Sequence, residues 1–383
     1  MFKTICFLRL IFLTGIAFLQ TFLFSSKISG EPLDYIKSKH HVFQIQNFAN
    51  IPGTPWGMAF LPDGRLIVTE REGRLRIIHN NGKVSEPIKG IPKVRAEGQG
   101  GLLDVTLHPN HKNNGWVYLS YSQALSDGTS FTSIARGKIV DNEFQNLQLV
   151  YRAPITDFSK HSQHYGSRII FDRNNYMFFS IGDRGQRPEA QNLNTANGKI
   201  HRLYADGSIP HDNPYRGQKD KLQSIWSWGH RNPQGLAFEP ITGSLWSTEH
   251  GPRGGDELNE IRRAENFGWP SITYGINYNG TIITEKTHAE NMTQPSHYWI
   301  PSIGVSGIDF YDNTLFSKWE NHLLVSSLRF GRLYRLHINE GVVLEEEILM
   351  ESGRTRDVET GPDGLIYVAL ENPGKIVRLI PTD

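Results

Sequence analysis

Trp56-Gly-Met-Ala-Phe-Leu-Pro-Asp-Gly-Arg-Leu-Ile-Val-Thr-Glu70, followed by Gly73-Arg-Leu-Arg-Ile-Ile78, reads as three short strands joined by two turns. Proline fixes φ, aspartate caps locally and glycine takes φ > 0, so Pro62-Asp63-Gly64 sets up a tight reversal. The end of the chain repeats the pattern. Val358 to Gly361 leads into Pro362-Asp363-Gly364, then Leu365 to Leu370, then Gly374-Lys-Ile-Val-Arg-Leu379. Looser copies lie between, at 102–122, 167–203, 235–261 and 307–336, giving six units. Repeated antiparallel sheets of about four strands around an axis make a β-propeller. The expectation is an all-β, six-bladed β-propeller of four-stranded antiparallel sheets, one domain over 40–383. A multi-sheet sandwich is the other reading. The long polar stretches 189–215 and 267–298 are expected to be loops, and a ligand site is expected where loops converge over the central channel.

Composition agrees with many short elements. The chain has 383 residues with 37 Gly and 20 Pro, which excludes a helical bundle or coiled coil. Forty basic and 39 acidic residues leave a net charge of +1, with no basic stripe for nucleic acid and no acidic tail. Residues 1–30 carry Lys3 and Arg9 around an apolar run from Leu10 to Phe24, closed by Ser25 and Ser26. This is the pattern of a secretory signal peptide, with a retained anchor as the alternative. No later segment is apolar for long enough to span a bilayer. The single cysteine, Cys6, falls inside that segment, so a mature chain without it would have no disulfide, thiolate metal site or cysteine nucleophile. The expected location is periplasmic or secreted.

Four stretches hold polar residues that strand packing does not require. Gly98-Gln-Gly-Gly-Leu-Leu-Asp104 offers Gln99 between glycines that let a backbone approach a ligand; a tight turn explains them equally well. Gln163-His-Tyr-Gly-Ser-Arg168 offers His164 as a general base, and Asp183 in Ser-Ile-Gly-Asp is placed to orient it; a structural histidine is the plainer reading. Trp228-Gly-His-Arg-Asn-Pro-Gln-Gly235 sets Arg231 beside Asn232. It is followed by Glu249-His-Gly-Pro-Arg-Gly-Gly-Asp-Glu257, whose Gly-Pro carbonyls and carboxylates are the hard oxygen ligands calcium prefers. Asp256 and Glu257 also suit a solvated loop. Arg329, and the pair Arg354 and Arg356 on one side of an extended segment, suit bidentate capture of carboxylates.

Taken in order, these motifs, with Phe-Gly-Trp-Pro270 and Arg-Thr-Arg-Asp357, closely resemble the soluble quinoprotein sugar dehydrogenases. That family includes the aldose sugar dehydrogenases and soluble glucose dehydrogenase, and the likeness covers nearly the whole mature chain. It implies a six-bladed propeller binding pyrroloquinoline quinone (PQQ) and calcium, which oxidises the anomeric carbon of aldoses to lactones. By that resemblance His164 is the base and Gln99 a cofactor contact. Arg231 and Asn232 stand beside the reacting carbonyl, with Arg231 also catalytic. Gly251 and Pro252 carbonyls hold the cofactor's calcium, while Glu257 and the Phe267 carbonyl match a second calcium site. Arg329, Arg354 and Arg356 meet the cofactor's carboxylates, joined by Tyr278 and Ser302. Two positions depart: Arg329 stands where soluble glucose dehydrogenase has Lys, and Phe267 where Tyr is more usual. The chain also lacks the glucose enzyme's long insertions, so it looks nearer the aldose branch. The implied partners are an aldose and an unidentified electron acceptor, with a monomer expected. Competing readings are a calcium-dependent lactonase and a non-catalytic ligand-binding propeller.

Overall fold

The computed structural model describes residues 35–382. The expected signal segment 1–30 and Cys6 lie outside the described residues. Among the described residues, six antiparallel sheets form six blades. Blade 1 holds Pro55–Phe60, Leu66–Glu70 and Arg74–Ile78. Blade 2 holds Leu102–Leu107, Trp116–Ala124, Ser130–Val140 and Glu143–Arg152. Blade 3 holds Ile169–Phe171, Tyr176–Ile181, Lys199–Tyr204 and Ile225–Trp228. Blade 4 holds Pro233–Phe238, Leu245–Glu249, Asp256–Ile261 and His297–Trp299. Blade 5 holds Val305–Phe310, Leu323–Ser327, Arg332–Asn339 and Val342–Glu351. Blade 6 begins with Thr355–Thr360, Ile366–Leu370 and Lys375–Pro381.

Blade 6 is completed from the other end of the sequence. Val42–Asn50 pairs antiparallel with Lys375–Pro381, from Phe43 opposite Pro381 to Asn50 opposite Lys375, and Tyr35–Lys37 adds a fifth strand. Blade 1 has three strands, and its fourth place is held by a bridge between Ile78 and Val84. The first strand of each blade contacts that of the next, all the way round, so six inner strands line a channel.

The apolar strand faces pack between blades. One cluster joins blades 5 and 6 through Phe316, Trp319, Val358 and Leu370, and another joins blades 6 and 1 through Tyr367, Ala369, Met58 and Val68. Similar clusters fill the other four interfaces. Fully burying one Leu, Ile or Phe contributes about 1.5–3 kcal/mol, so the six interfaces dominate stability. The stretch 189–215 is not wholly loop. Lys199–Tyr204 within it is the third strand of blade 3, and its first five residues are buried. Ile200 and Leu203 enter packed clusters while Lys199, His201 and Arg202 find buried partners, so a polar composition hid a core strand.

Arg168 stitches the channel. Its Nη1 lies 3.0 Å from Asp104 Oδ1 and 2.9 Å from Asp357 Oδ1. Nε donates to Gln234 O (2.7 Å), Nη2 donates to Arg356 O (3.1 Å), and the Trp56 ring lies 4.4 Å away. Beyond it the inner strands enclose a cavity of about 430 Å³ that also contains Asp309 and Glu359. Burial, with neighbouring carboxylates adding to it, pushes Asp309 up to about 6, Asp357 up to about 7 and Glu359 well above the usual carboxylate range. A carboxyl whose folded pKa is raised takes up a proton on folding, so its contribution is present at low pH and lost as pH rises through the folded pKa. Glu359→Gln removes that loss. Its unfolding temperature should therefore exceed that of the wild type at pH 8 by about 2 °C or more, with a smaller margin at pH 5. Thermal unfolding at both pH values checks this; a margin that does not grow with pH contradicts it.

Candidate functional site

The polar motifs share one rim because of strand polarity. Gln99, His164, Arg231, Ser302 and Arg354 each precede the innermost strand of a blade. Asp183, Gly251, Pro252 and Arg329 each follow a second strand. In an up-and-down sheet, the start of the first strand and the end of the second lie at the same edge. Five of the six blades therefore deliver these residues to one mouth.

His164 and Asp183 form the reactive pair. His164 Nδ1 donates to Asp183 Oδ1 at 2.6 Å. Asp183 Oδ2 accepts from Trp269 Nε1 (2.8 Å), and its Oδ1 also accepts from Gly185 N–H (2.7 Å). Asp183 is completely buried. Burial alone would raise its pKa, but the His164 hydrogen bond and charge, with Arg231, hold it below the ordinary value. His164 is pulled down, first by burial and then by Arg231 and Arg184, against the raising effect of Asp183. It is therefore neutral at pH 7. With Nδ1–H given to Asp183, the tautomer leaves Nε2 as an acceptor. His164 itself has φ of 52°, an uncommon conformation for a non-glycine residue. Gln99 Oε1 accepts from its main-chain N–H at 2.7 Å, which holds that conformation.

Two adjoining hollows lie over the channel mouth. One, about 270 Å³, is lined by Trp56, Arg71, Gln99, Arg354, Arg356 and Glu371 among others. The other, about 520 Å³, is lined by Gly251, Pro252, Tyr278, Ser302, Arg329 and Arg354 among others. The lone carboxylate in these linings, Glu371, is already shared: Oε2 accepts from Arg354 Nε (2.9 Å) and Oε1 from Arg356 Nε (2.6 Å). Burial opposes its charge, but the two arginines hold its pKa below the usual value. The hollows thus keep an excess of guanidinium charge, which suits a polyanionic ligand. Arg231 supports this reading. It is buried, Nη1 donates to Gly251 O (2.7 Å) and His250 O (3.1 Å), and its Nε has no partner.

Two carboxylates meet beside Arg231. Glu249 and Glu257 converge on Asn259, whose Nδ2 donates to both at 3.0 and 3.2 Å. Burial, then the Glu249 charge, pushes Glu257 well above its usual pKa. A void of about 10 Å³ lies between these carboxylates, Gly251, Phe267 and Thr273. Among the described residues no three acidic, histidine or cysteine side chains are arranged to hold a metal ion, so an ion there would take two carboxylates and main-chain carbonyls. That oxygen set suits calcium.

The remaining sequence-named residues take distinct places. Asn232 lies beneath the hollows, with Oδ1 accepting from Gly166 N–H (3.1 Å) and Gln234 Nε2 (3.3 Å). Ser302 gives its hydroxyl to Asp256, and its carbonyl accepts from Arg329 Nη1 (3.0 Å). Tyr278 stands 70% exposed on the rim. Phe267 stacks on His230 with centroids 4.6 Å apart. The glycines are also needed for close chain packing. A Cβ on Gly98 would meet Ser162 O at 2.5 Å, and one on Gly100 would meet Arg95 O at 2.6 Å. Gly98 lines the smaller hollow as well. Glu371, Trp269 and Glu249 act in the site but carry no signal by themselves; Trp269 lies in the quoted Phe-Gly-Trp-Pro turn, and only tertiary contact reveals its bond to Asp183.

The family model described as Glucose / Sorbosone dehydrogenase matches residues 53–378. Aldose sugar dehydrogenase YliI of Escherichia coli (strain K12) is 40% identical over 335 residues, 85% of this chain and 90% of that protein. Quinoprotein glucose dehydrogenase B of Acinetobacter calcoaceticus is 26% identical over 91% of this chain and 89% of its own length. The crystal structure of the soluble aldose sugar dehydrogenase from Escherichia coli in the apo-form superposes with a TM-score of 0.85 at 36% identity, covering 89% of this chain and 100% of that one.

If the paired carboxylates hold a cation, calcium should raise the unfolding temperature, since a ligand at 100 times its Kd stabilises by about 2.7 kcal/mol. Glu257→Gln should lose most of that increment. Thermal unfolding of both proteins with calcium and with chelator provides the check, and equal increments would exclude Glu257 as a ligand.

Proposed function

The chain belongs to the glucose/sorbosone dehydrogenase family, and on that premise we propose that it oxidises aldose sugars at the anomeric carbon to lactones, using PQQ and calcium. The observation that carries this reading is the His164–Asp183 pair beside an arginine-lined hollow. A relative named a quinoprotein supports the cofactor class. When bound, PQQ supplies the acceptor for the two electrons that leave the sugar with its anomeric hydrogen.

The protein's own groups do the rest. His164 Nε2 takes the proton of the anomeric hydroxyl, a role typically worth ~10²–10⁴ in rate. Asp183 fixes the tautomer and stabilises the imidazolium, and Trp269 and Gly185 hold Asp183 still. Arg231 offers a desolvated cation where negative charge grows. Arg354 and Arg356 are aligned by Glu371 to receive carboxylates, with Arg329 at the outer side. Gly251 and Pro252 carbonyls are assigned to the cofactor's calcium and Glu257 with Phe267 O to a second calcium site. The apolar segment 1–30 supports export to the periplasm or medium. We further infer a monomer that passes electrons to a separate acceptor.

Cofactor-free protein should be inactive and gain aldose-dependent dye reduction on adding PQQ and calcium. His164→Ala should lose at least ~100-fold in kcat while PQQ absorbance titration shows binding retained. Full activity in that variant removes the base assignment. Arg354→Ala and Arg356→Ala should weaken PQQ binding by ~10-fold or more each; normal affinity in both excludes their role. Because His164 sits below its ordinary pKa, kcat/KM should stay level from pH 8 to 7 and fall only at lower pH.

A further inference from the structure

Arg184 is a fully buried guanidinium with no acidic partner among the described residues. Its hydrogen bonds go to main-chain carbonyls: Nη1 to Gln163 O, and Nη2 to His161 O, with Ser130 O at 3.5 Å. Its Cζ lies 3.4 Å from the Tyr165 ring centroid, and its Nε is unpartnered. Its own φ is 55°, and His164, in the facing segment, has φ of 52°. Burying an unneutralised charge is costly. Strained residues held in place by such groups gather at functional sites.

We propose that Arg184 is a positioning residue for His164: it locks the His161 and Gln163 carbonyls ahead of the imidazole and sets an unneutralised positive charge beside it. Three charged groups act on His164. Asp183, before Arg184 in the same turn, favours the imidazolium; Arg231, ahead of blade 4, and Arg184 favour the neutral ring. Gln99, from the loop ahead of blade 2, is neutral and holds only the main chain. Burial, the largest influence, also favours the neutral ring. Arg184 adds to it against Asp183 without lining the hollows, so the imidazole is oriented by an acid yet kept ready to accept a proton. This inference rests on the assignment of His164 as the base, but its charge effect is readable without cofactor.

The test is an NMR titration of full-length protein with histidine-selective labelling, His164 being identified by its absence in His164→Ala. In cofactor-free protein, Arg184→Gln should raise the His164 midpoint. Arg184→Lys, which keeps the charge but not the fork, should leave it near the wild-type value. After loading with PQQ and calcium, the acid limb of kcat/KM should move upward in Arg184→Gln alone, and kcat should fall ~10-fold in both variants. A folded Arg184→Gln protein with an unchanged midpoint overturns the proposal. Should Arg184→Gln not fold, Arg184→Lys decides: a wild-type midpoint supports the proposal and a raised one overturns it. A shifted midpoint in a protein that never turns over supports the Arg184 role and removes the quinone reading instead.

Discussion

Everything at the rim depends on the ring being closed. A circle of blades has no fixed diameter until its last sheet meets its first, and here that is achieved by hydrogen bonds between Val42–Asn50 and Lys375–Pro381. The two ends of the domain thus share one blade, and the apolar seam between blades 6 and 1 matches those between the others. Closure sets the spacing of the inner strands. His164, Arg231, Arg354 and Gln99 belong to four different blades, so their separations are fixed by the ring rather than by the loops that bear them. Closure also removes the long open edge that a single sheet of this size would leave.

Charge is layered along the axis. The mouth is cationic, with Arg329, Arg354 and Arg356 outnumbering Glu371. The channel beneath is acidic, with Asp104, Asp309, Asp357 and Glu359 facing Arg168. The lactonase reading called for carboxylates and amides around an ion at the centre. The channel carboxylates instead gather round a guanidinium, and the groups facing the mouth are arginines.

The fold was legible because Pro-Asp-Gly at 62–64 and 362–364 brackets the same strand pattern at both ends of the domain. The closing strand was not: Val42-Phe-Gln-Ile-Gln46 onward carries no turn signature, and its partner lies more than 300 residues away. The stretch 189–215 misled because Lys199, His201 and Arg202 are polar in composition yet buried. Lys199 Nζ is satisfied by the carbonyls of Glu189 (2.9 Å) and Ala190 (3.0 Å) together with that of Asn197, and no composition reports such partners. The site was readable as residue types in order. What could not be read is which side chain holds which: Gln99 gripping the His164 main chain, Glu371 aligning two arginines, Trp269 pinning Asp183. Those links join residues 15 to 86 positions apart in different blades or turns.

Arg168 has a consequence for how long the protein lasts. The same guanidinium that ties Asp104, Gln234 and Asp357 together also grips the carbonyl of Arg356, whose side chain faces the mouth. A ligand seated on Arg356 would therefore bear on a knot shared by four blades, and would make opening of the ring rarer. Since proteases attack the opened form, filling the mouth would also lengthen the protein's life.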